Sequence, residues 1–244
     1  MHVVPVKDLY RTKGAPMHMF LTHLVEKYPE YAEFAKKEQG YKILDNSLIE
    51  LGDAVSMHRV FQAAQSIDAH EVVLPDVFLN KMGTLTRTLN SLDELMALEK
   101  EHGVRFNKMA VVHGKDEKER FECFKILNSF HDVDVLGIPK VTHKLHPKGR
   151  PYFVNNILKH TTKEIHLLGI WNDFHELDFI RYPGRVRSVD SSLIPLYIKN
   201  GRDDYYIRPD EEVIDLENDV LPNDLMGIST DVILQRVSEY VASL

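Results

Sequence analysis

Short apolar runs, four to seven residues long, recur along the chain and alternate with longer stretches where apolar side chains return every three or four positions. The short runs suit buried strands and the longer stretches suit amphipathic helices. The strand candidates are Met17–Leu21, Lys42–Asp45, Glu71–Asp76, Lys108–Gly114, Val133–Ile138, Glu164–Ile170 and Arg185–Asp190. Helix candidates lie between them at Glu30–Glu38, Val55–Ile67, Leu85–His102, Glu117–Phe130, Pro151–Lys159 and about Asp173–Ile180, and Asp224–Ser243 reads as a terminal helix. Alternation of this kind predicts an α/β protein built on a parallel sheet.

Seven strands would close into a (β/α)8 TIM-type barrel if an eighth came from His2–Val6 or from Leu193–Ile198. An open doubly wound sheet is the alternative. The barrel is favoured because no GxGxxG or GxxxxGK[ST] phosphate loop follows a strand, whereas polar or charged residues close the strands repeatedly. No Gly/Ser/Pro-rich linker and no internal repeat divides the chain, so residues 1–244 are expected to form one domain.

Composition narrows the classes. The 244 residues are 43% hydrophobic and 27% charged, enough to bury a substantial core. The formal charge of −7 argues against a uniformly basic nucleic-acid binder, so any phosphate contact has to be local. One cysteine, Cys123, rules out an intrachain disulfide and a cysteine-rich zinc module, and it is expected to be a buried apolar residue in a reducing cytoplasm. The opening MHVVPVKDLYRTKGAP lacks the apolar core of a signal peptide, and no stretch approaches the roughly 20 apolar residues of a membrane span. Among 13 histidines there is no HExxH or comparable pair, so neither a metal nor another cofactor is expected.

In a barrel the chemistry sits where the strands end. Those positions are Asp45, Asp76, His113, Gly137, Gly169 and Asp190. An aspartate just past a strand is also a common cap or turn residue, but three on one rim form a candidate acid/base set. The segment Lys140–Arg150 is the one concentrated basic stretch. Its Lys140, Lys144, Lys148 and Arg150 are candidates for nucleic-acid backbone contacts, a solvated loop being the alternative.

Taken in order, these strand ends resemble the tRNA-guanine transglycosylase superfamily, in particular the compact phage proteins that place 7-deazaguanine bases into DNA. The carriers are ILDNSLIELG at 43–52, VVLPDVFLN at 72–80, AVVHGKDEKER at 110–120, DVLGIPK at 134–140, HLLGIWNDFHEL at 166–177 and VRSVDSSLIP at 186–195. The resemblance implies that Asp190 is the nucleophile attacking C1′ and that Asp45 is the general acid/base. It implies that Asp76 hydrogen-bonds the guanine edge and that His113 stands where the family has glutamine. Gly137 then matches a glycine whose backbone contacts the base, and Leu168 and Gly169 match backbone facing the exocyclic groups. Two departures stand out: Ser47-Leu48 replaces the family's glycine pair, and Glu50, a candidate substrate contact, replaces a glutamine. The zinc subdomain of the tRNA-acting members is missing, which favours DNA over tRNA.

The implied reaction is exchange of guanine in a polynucleotide for a 7-deazaguanine such as 7-cyano-7-deazaguanine, by two displacements through a covalent intermediate. A duplex target would have to be flipped, so a lid is expected, with Ile49, Phe78 and Trp171 as candidates beside the alternative that they are core. Two other functions stay open: a base hydrolase in which water replaces the incoming base, and a non-enzymatic acidic barrel that binds a host nucleic-acid enzyme. The oligomeric state is not readable from the pattern.

Overall fold

Each apolar run of strand length pairs in parallel with the next run along the chain. The strands are β1 (Met17–Leu21), β2 (Tyr41–Asp45), β3 (Glu71–Val73), β4 (Asn107–Val111), β5 (Val135–Pro139), β6 (Glu164–Leu168) and β7 (Val186–Val189), and they form one sheet in sequence order. The helices are α1 (Thr22–Lys27), α2 (Pro29–Lys37), α3 (Leu48–Leu51), α4 (Met57–Ser66), α5 (Lys81–His102), α6 (Glu117–Ser129), α7 (Thr142–Leu145), α8 (Gly149–Ile157), α9 (Leu193–Lys199) and α10 (Thr230–Ser243), with a short antiparallel pair, β8 (Asp224–Leu225) and β9 (Ile228–Ser229), before α10. This computed structural model describes residues 1, 3–146, 148–170, 174–201, 214–225 and 228–243.

Alternate positions on the strands divide the apolar side chains between two cores, as a pleat of period two requires. Phe20, Leu44, Val72, Leu74, Ala110, Val112 and Leu136 point toward the helices and join the large outer core. Met19, Ile43, Val73, Met109, Val111 and Val135 point the other way and pack on one another. A small core on the second face requires the sheet to curl. Charged residues report the same curl: Arg187 on β7 bonds Glu71 on β3 at 2.7 and 2.9 Å and lies 5.4 Å from the Tyr41 ring on β2. In a flat sheet β7 and β3 would lie about 19 Å apart, beyond the reach of those two side chains.

The structure is therefore an α/β fold with a curled, seven-stranded parallel sheet. Neither source proposed for an eighth strand supplies one among the described residues. Leu193–Ile198 is helical and buried along its whole length. A continuous apolar run has no period to separate a buried strand from a buried helix, and the Ser191 hydroxyl takes the Leu193 N–H as the helix begins. At the other end, Met1 and Val3 run beside the end of β7, exchanging backbone hydrogen bonds with Val189 and Ser191.

Three other boundaries move for identifiable reasons. β3 stops at Val73, two residues before Pro75, which has no N–H to give a ladder. Helix α5 starts at Lys81, four residues before the expected Leu85, because the Asn80 side chain caps it by accepting the Gly83 N–H at 2.9 Å. Asp224–Leu225 and Ile228–Ser229 pair as the antiparallel strands β8 and β9, so α10 begins at Thr230. The helix expected near Asp173–Ile180 is a 3-10 helix at Phe174–Phe179, and residues 171–173 lie outside those described. Among the described residues no helix is long and apolar enough to cross a membrane.

Candidate functional site

The rim at the carboxyl ends of the strands is built from the loops after β2, β3, β4, β6 and β7. Asp45 is the last residue of β2. Its carbonyl accepts from the Thr22 hydroxyl at 2.6 Å, and its Oδ1 accepts the Ser47 N–H at 2.7 Å. Asn46 closes the same turn: its Oδ1 accepts the Leu48 N–H at 3.0 Å, while its Nδ2 donates to Leu74 O at 3.0 Å and Asp76 Oδ1 at 2.7 Å. Ser47 sits at φ +61°, a left-handed conformation that costs a side-chain-bearing residue about 1–2 kcal/mol. Its Oγ accepts the His23 N–H at 3.2 Å, and these bonds together over-determine the turn.

Asp76 lies three residues beyond β3 and is 2% exposed. Its second oxygen, Oδ2, meets His113 Nε2 at 2.7 Å, and His113 is equally buried. The Leu79 N–H approaches His113 Nδ1 at 3.4 Å, which assigns the ring proton to Nε2. The Phe78 ring stands edge-on to His113 at 5.8 Å and is 45% exposed. Asn46, Asp76 and His113 thus form a hydrogen-bonded triad just below the rim.

Asp190 follows β7. Its Oδ1 accepts from His166 Nε2 at 3.0 Å and from the Gly169 N–H at 3.1 Å, and His166 Nδ1 is 2.8 Å from Ser188 Oγ. Asp190 Oδ2 has no hydrogen-bond partner among the described residues, and the side chain is 13% exposed. One oxygen is held and the other is open.

Charges couple these groups across the rim. Burial, then the Glu50 charge, push the Asp45 carboxyl well above the ordinary carboxylate range; the Ser47 N–H opposes this, and the charges of Asp76 and Asp190 add to it. Glu50 lies on α3 and is exposed as a residue, yet the protein around its carboxyl pushes it up, as does the Asp190 charge, with Lys140 opposing. Asp190 goes the other way. Burial pushes its carboxyl up, but the hydrogen bond and charge of His166 and the Gly169 N–H outweigh it and hold the group below its ordinary value. Such mutual effects need short separations, so Asp45, Glu50, Asp76 and Asp190 share one neighbourhood.

Several expected contacts take other forms. Arg150 is not a phosphate ligand: it is 1% exposed, pairs with Glu176, and donates to the carbonyls of Ile138, Leu168 and Gly169 at 2.7–3.1 Å. Lys140, Lys144 and Lys148 are exposed. Gly137 lies inside β5, its carbonyl takes the Val112 N–H, and a Cβ there would stand 3.0 Å from both Leu168 Cδ1 and Met109 Sδ. Packing space explains this glycine. Leu168 O already accepts from Lys140 N and Arg150 Nη1, and Gly169 gives its N–H to Asp190 and its carbonyl to Arg150, so neither residue offers these groups to a base. Ile49 is 67% exposed on α3, as Phe78 is beyond β3, so both stand clear of the core; Trp171 lies outside the described residues.

Asn46, His166 and Ser188 were not among the expected site residues. A signal for His166 existed, since a histidine interrupts the apolar strand EIHLL, and its partner Ser188 lies opposite it in the β6–β7 register. Nothing marks Asn46 beyond its place beside Asp45. No protein-family model matches the chain, and no curated protein matches it.

Proposed function

We propose that this chain exchanges guanine in a polynucleotide, DNA in preference to tRNA, for a 7-deazaguanine, on a sheet that represents a (β/α)8-type barrel. One observation carries the reading: two carboxylates of one rim are pushed in opposite directions, Asp190 toward the ionised form and Asp45 toward the protonated form. Two displacements at a sugar carbon need such a division between nucleophile and acid.

In the first displacement Asp190 Oδ2 attacks C1′ while the bond from C1′ to the base nitrogen breaks. The pair left on the base takes the proton held by Asp45, and an aspartyl ester to the sugar remains. In the second, the Asp45 carboxylate removes the proton from the incoming 7-deazaguanine, whose nitrogen attacks C1′ and expels Asp190. Asp45 ends protonated, ready for the next cycle. His166 and the Gly169 N–H hold Asp190 Oδ1, which leaves Oδ2 to react. Asp76 reaches a base edge only with the lone pairs that Asn46 and His113 leave open, so it serves first to set the rim and second to read a donor.

The resemblance gains support from Ser47. Its positive φ falls where the family has a glycine pair, the backbone conformation for which glycine is the least strained residue. The test is exchange of labelled 7-cyano-7-deazaguanine into guanine-containing DNA. Asp190→Asn should lower the rate about 10⁴-fold or more, and Asp45→Asn about 10²- to 10⁴-fold. Undiminished exchange by Asp190→Asn rejects the assignment, and release of free base without incorporation transfers the chain to the hydrolases.

A further inference from the structure

A cavity of about 610 Å³ lies away from the aspartates, between α8 and the chain at 175–182. Its volume suits a ligand of roughly nucleotide size. Three cations line it, Lys148, Lys159 and Arg181, all exposed and none in an ion pair with a described residue. Three aromatic side chains line it as well: Tyr152, Phe179 and Tyr182, at 46%, 69% and 48% exposure. Lys148 Nζ is already 4.7 Å from the centre of the Tyr152 ring. The carboxylate in the lining, Glu176, is neutralised from behind by Arg150.

The walls of this groove are fixed. Asn155 on α8 donates to Phe179 O at 2.8 Å and accepts the Arg181 N–H at 2.8 Å, bolting the two sides together. The bond from Arg150 to Glu176 ties the start of α8 to the Phe174–Phe179 segment. In a chain of formal charge −7, such a cluster of unpaired cations among exposed rings is complementary to a polyanion with flat, stackable groups.

The geometry points to this groove as a track for single-stranded polynucleotide, its cations on phosphates and its rings against unstacked bases. The inference rests on the exchange reading for why a strand should pass here. A target nucleotide that leaves its duplex opens the flanking strand, and the groove starts near the loop after β5, at Lys148, and runs along α8 toward the chain that enters β6 and β7, so a strand leaving the Asp190 rim could follow it down the outside of the sheet. The groove's volume of about 610 Å³ accommodates a short stretch of strand, and its exposed rings can stack only on bases that are already unstacked.

The test is fluorescence anisotropy of a labelled deoxy-oligonucleotide, single-stranded or duplex, titrated with the full chain at several salt concentrations. Poly-glutamate serves as an acidic-peptide competitor. The wild type should bind the single strand more tightly than the duplex. In Lys148→Gln/Lys159→Gln/Arg181→Gln the slope of log K against log[salt] should shrink by about 2, at roughly 0.7 per lost phosphate contact. In Phe179→Ser/Tyr182→Ser the single strand should bind roughly 5- to 150-fold more weakly for each base that loses its stack. All five positions are exposed, so the variants should keep the far-ultraviolet circular dichroism of the wild type.

Unchanged affinity and slope in both variants overturn the proposal, as does equal displacement by poly-glutamate without dependence on the rings, which marks a protein partner. The exchange assay separates the two readings. Binding that depends on the groove without any exchange keeps the track and rejects the enzyme; exchange that needs Asp190 while the groove variants bind normally keeps the enzyme and rejects the track.

Discussion

At Asp45 a carboxyl is turned toward other acidic groups with one N–H to help it, whereas at Asp190 a carboxyl of the same type receives an imidazole and a backbone N–H. The stability consequences have opposite signs. The depressed carboxyl of Asp190 contributes stability that is present above its unfolded value and lost as pH falls through the folded one. The raised carboxyl of Asp45 takes up a proton on folding, so stability falls as pH rises from its ordinary value of 3.8 through the raised one. Asp45→Asn keeps the acceptor for Ser47 N–H and removes the charge. It should therefore stabilise the fold by about 1 kcal/mol at neutral pH, a rise in Tm of about 2–4 °C, and the gain should vanish near pH 3. Thermal melts across pH check this; a loss of stability at neutral pH would show that the charge is satisfied in the fold. The same pair shapes the rate. The first displacement needs Asp190 ionised and Asp45 protonated, so kcat/KM should hold level between the depressed and raised values and fall as pH rises through the latter. In Asp45→Asn the alkaline fall should disappear from the residual rate.

Arg150 acts on whole elements, joining the ends of β5 and β6 and the Phe174–Phe179 segment through one guanidinium. Arg150→Met should destabilise the protein by about 3–5 kcal/mol, because the buried Glu176 would lose the guanidinium that meets both its oxygens, and Arg150→Met/Glu176→Gln should recover much of the loss. Urea unfolding checks this, with Lys148→Gln as an exposed control; a cost below about 1 kcal/mol for Arg150→Met would show that water replaces the arginine. Such a role was hidden in the sequence, where Arg150 looks like one more cation in a basic loop. The strands were legible because each is a short apolar run, and all seven appear in the structure near the expected positions. Strand ends were legible for the same reason, since a polar residue after an apolar run marks the rim, and this located Asp45, Asp76, His113 and Asp190. The helix at Leu193–Lys199 was not, because an apolar run buried on every side carries no period. Asn46 as a partner of Asp76 was hidden, because nothing in the pattern marks it, and His166 was marked only as a histidine inside an apolar strand, its pairing with Asp190 appearing once β6 and β7 lie side by side.

Across the whole molecule, the curl that gathers the strand ends has to be held at the opposite rim, where the strands begin. Arg187 is the residue that spans that side. It bonds both oxygens of Glu71 on β3, reaches Glu164 on β6 at 3.0 Å and covers the Tyr41 ring, whose hydroxyl donates to Glu71 at 2.9 Å. Glu71 has no exposed surface, so its charge depends on these partners. Arg187→Met should therefore cost about 3–5 kcal/mol, while Arg187→Met/Glu71→Gln should cost much less, since glutamine keeps an acceptor for the Tyr41 hydroxyl and leaves no bare charge. Urea midpoints of the two variants decide it, with equal slopes confirming that unfolding exposes the same surface. Equal losses would mean that the bond itself holds β3 and β7 together rather than merely neutralising Glu71. In that case the Asp190 side of the rim should also loosen, and exchange by Arg187→Met/Glu71→Gln should fall although neither residue lies at the rim where the chemistry is proposed. If the double variant instead recovers both stability and exchange, the inner apolar core of Met19, Ile43, Val73, Met109, Val111 and Val135 is sufficient to set the curl, and the ion pair only occupies a space that the curl creates.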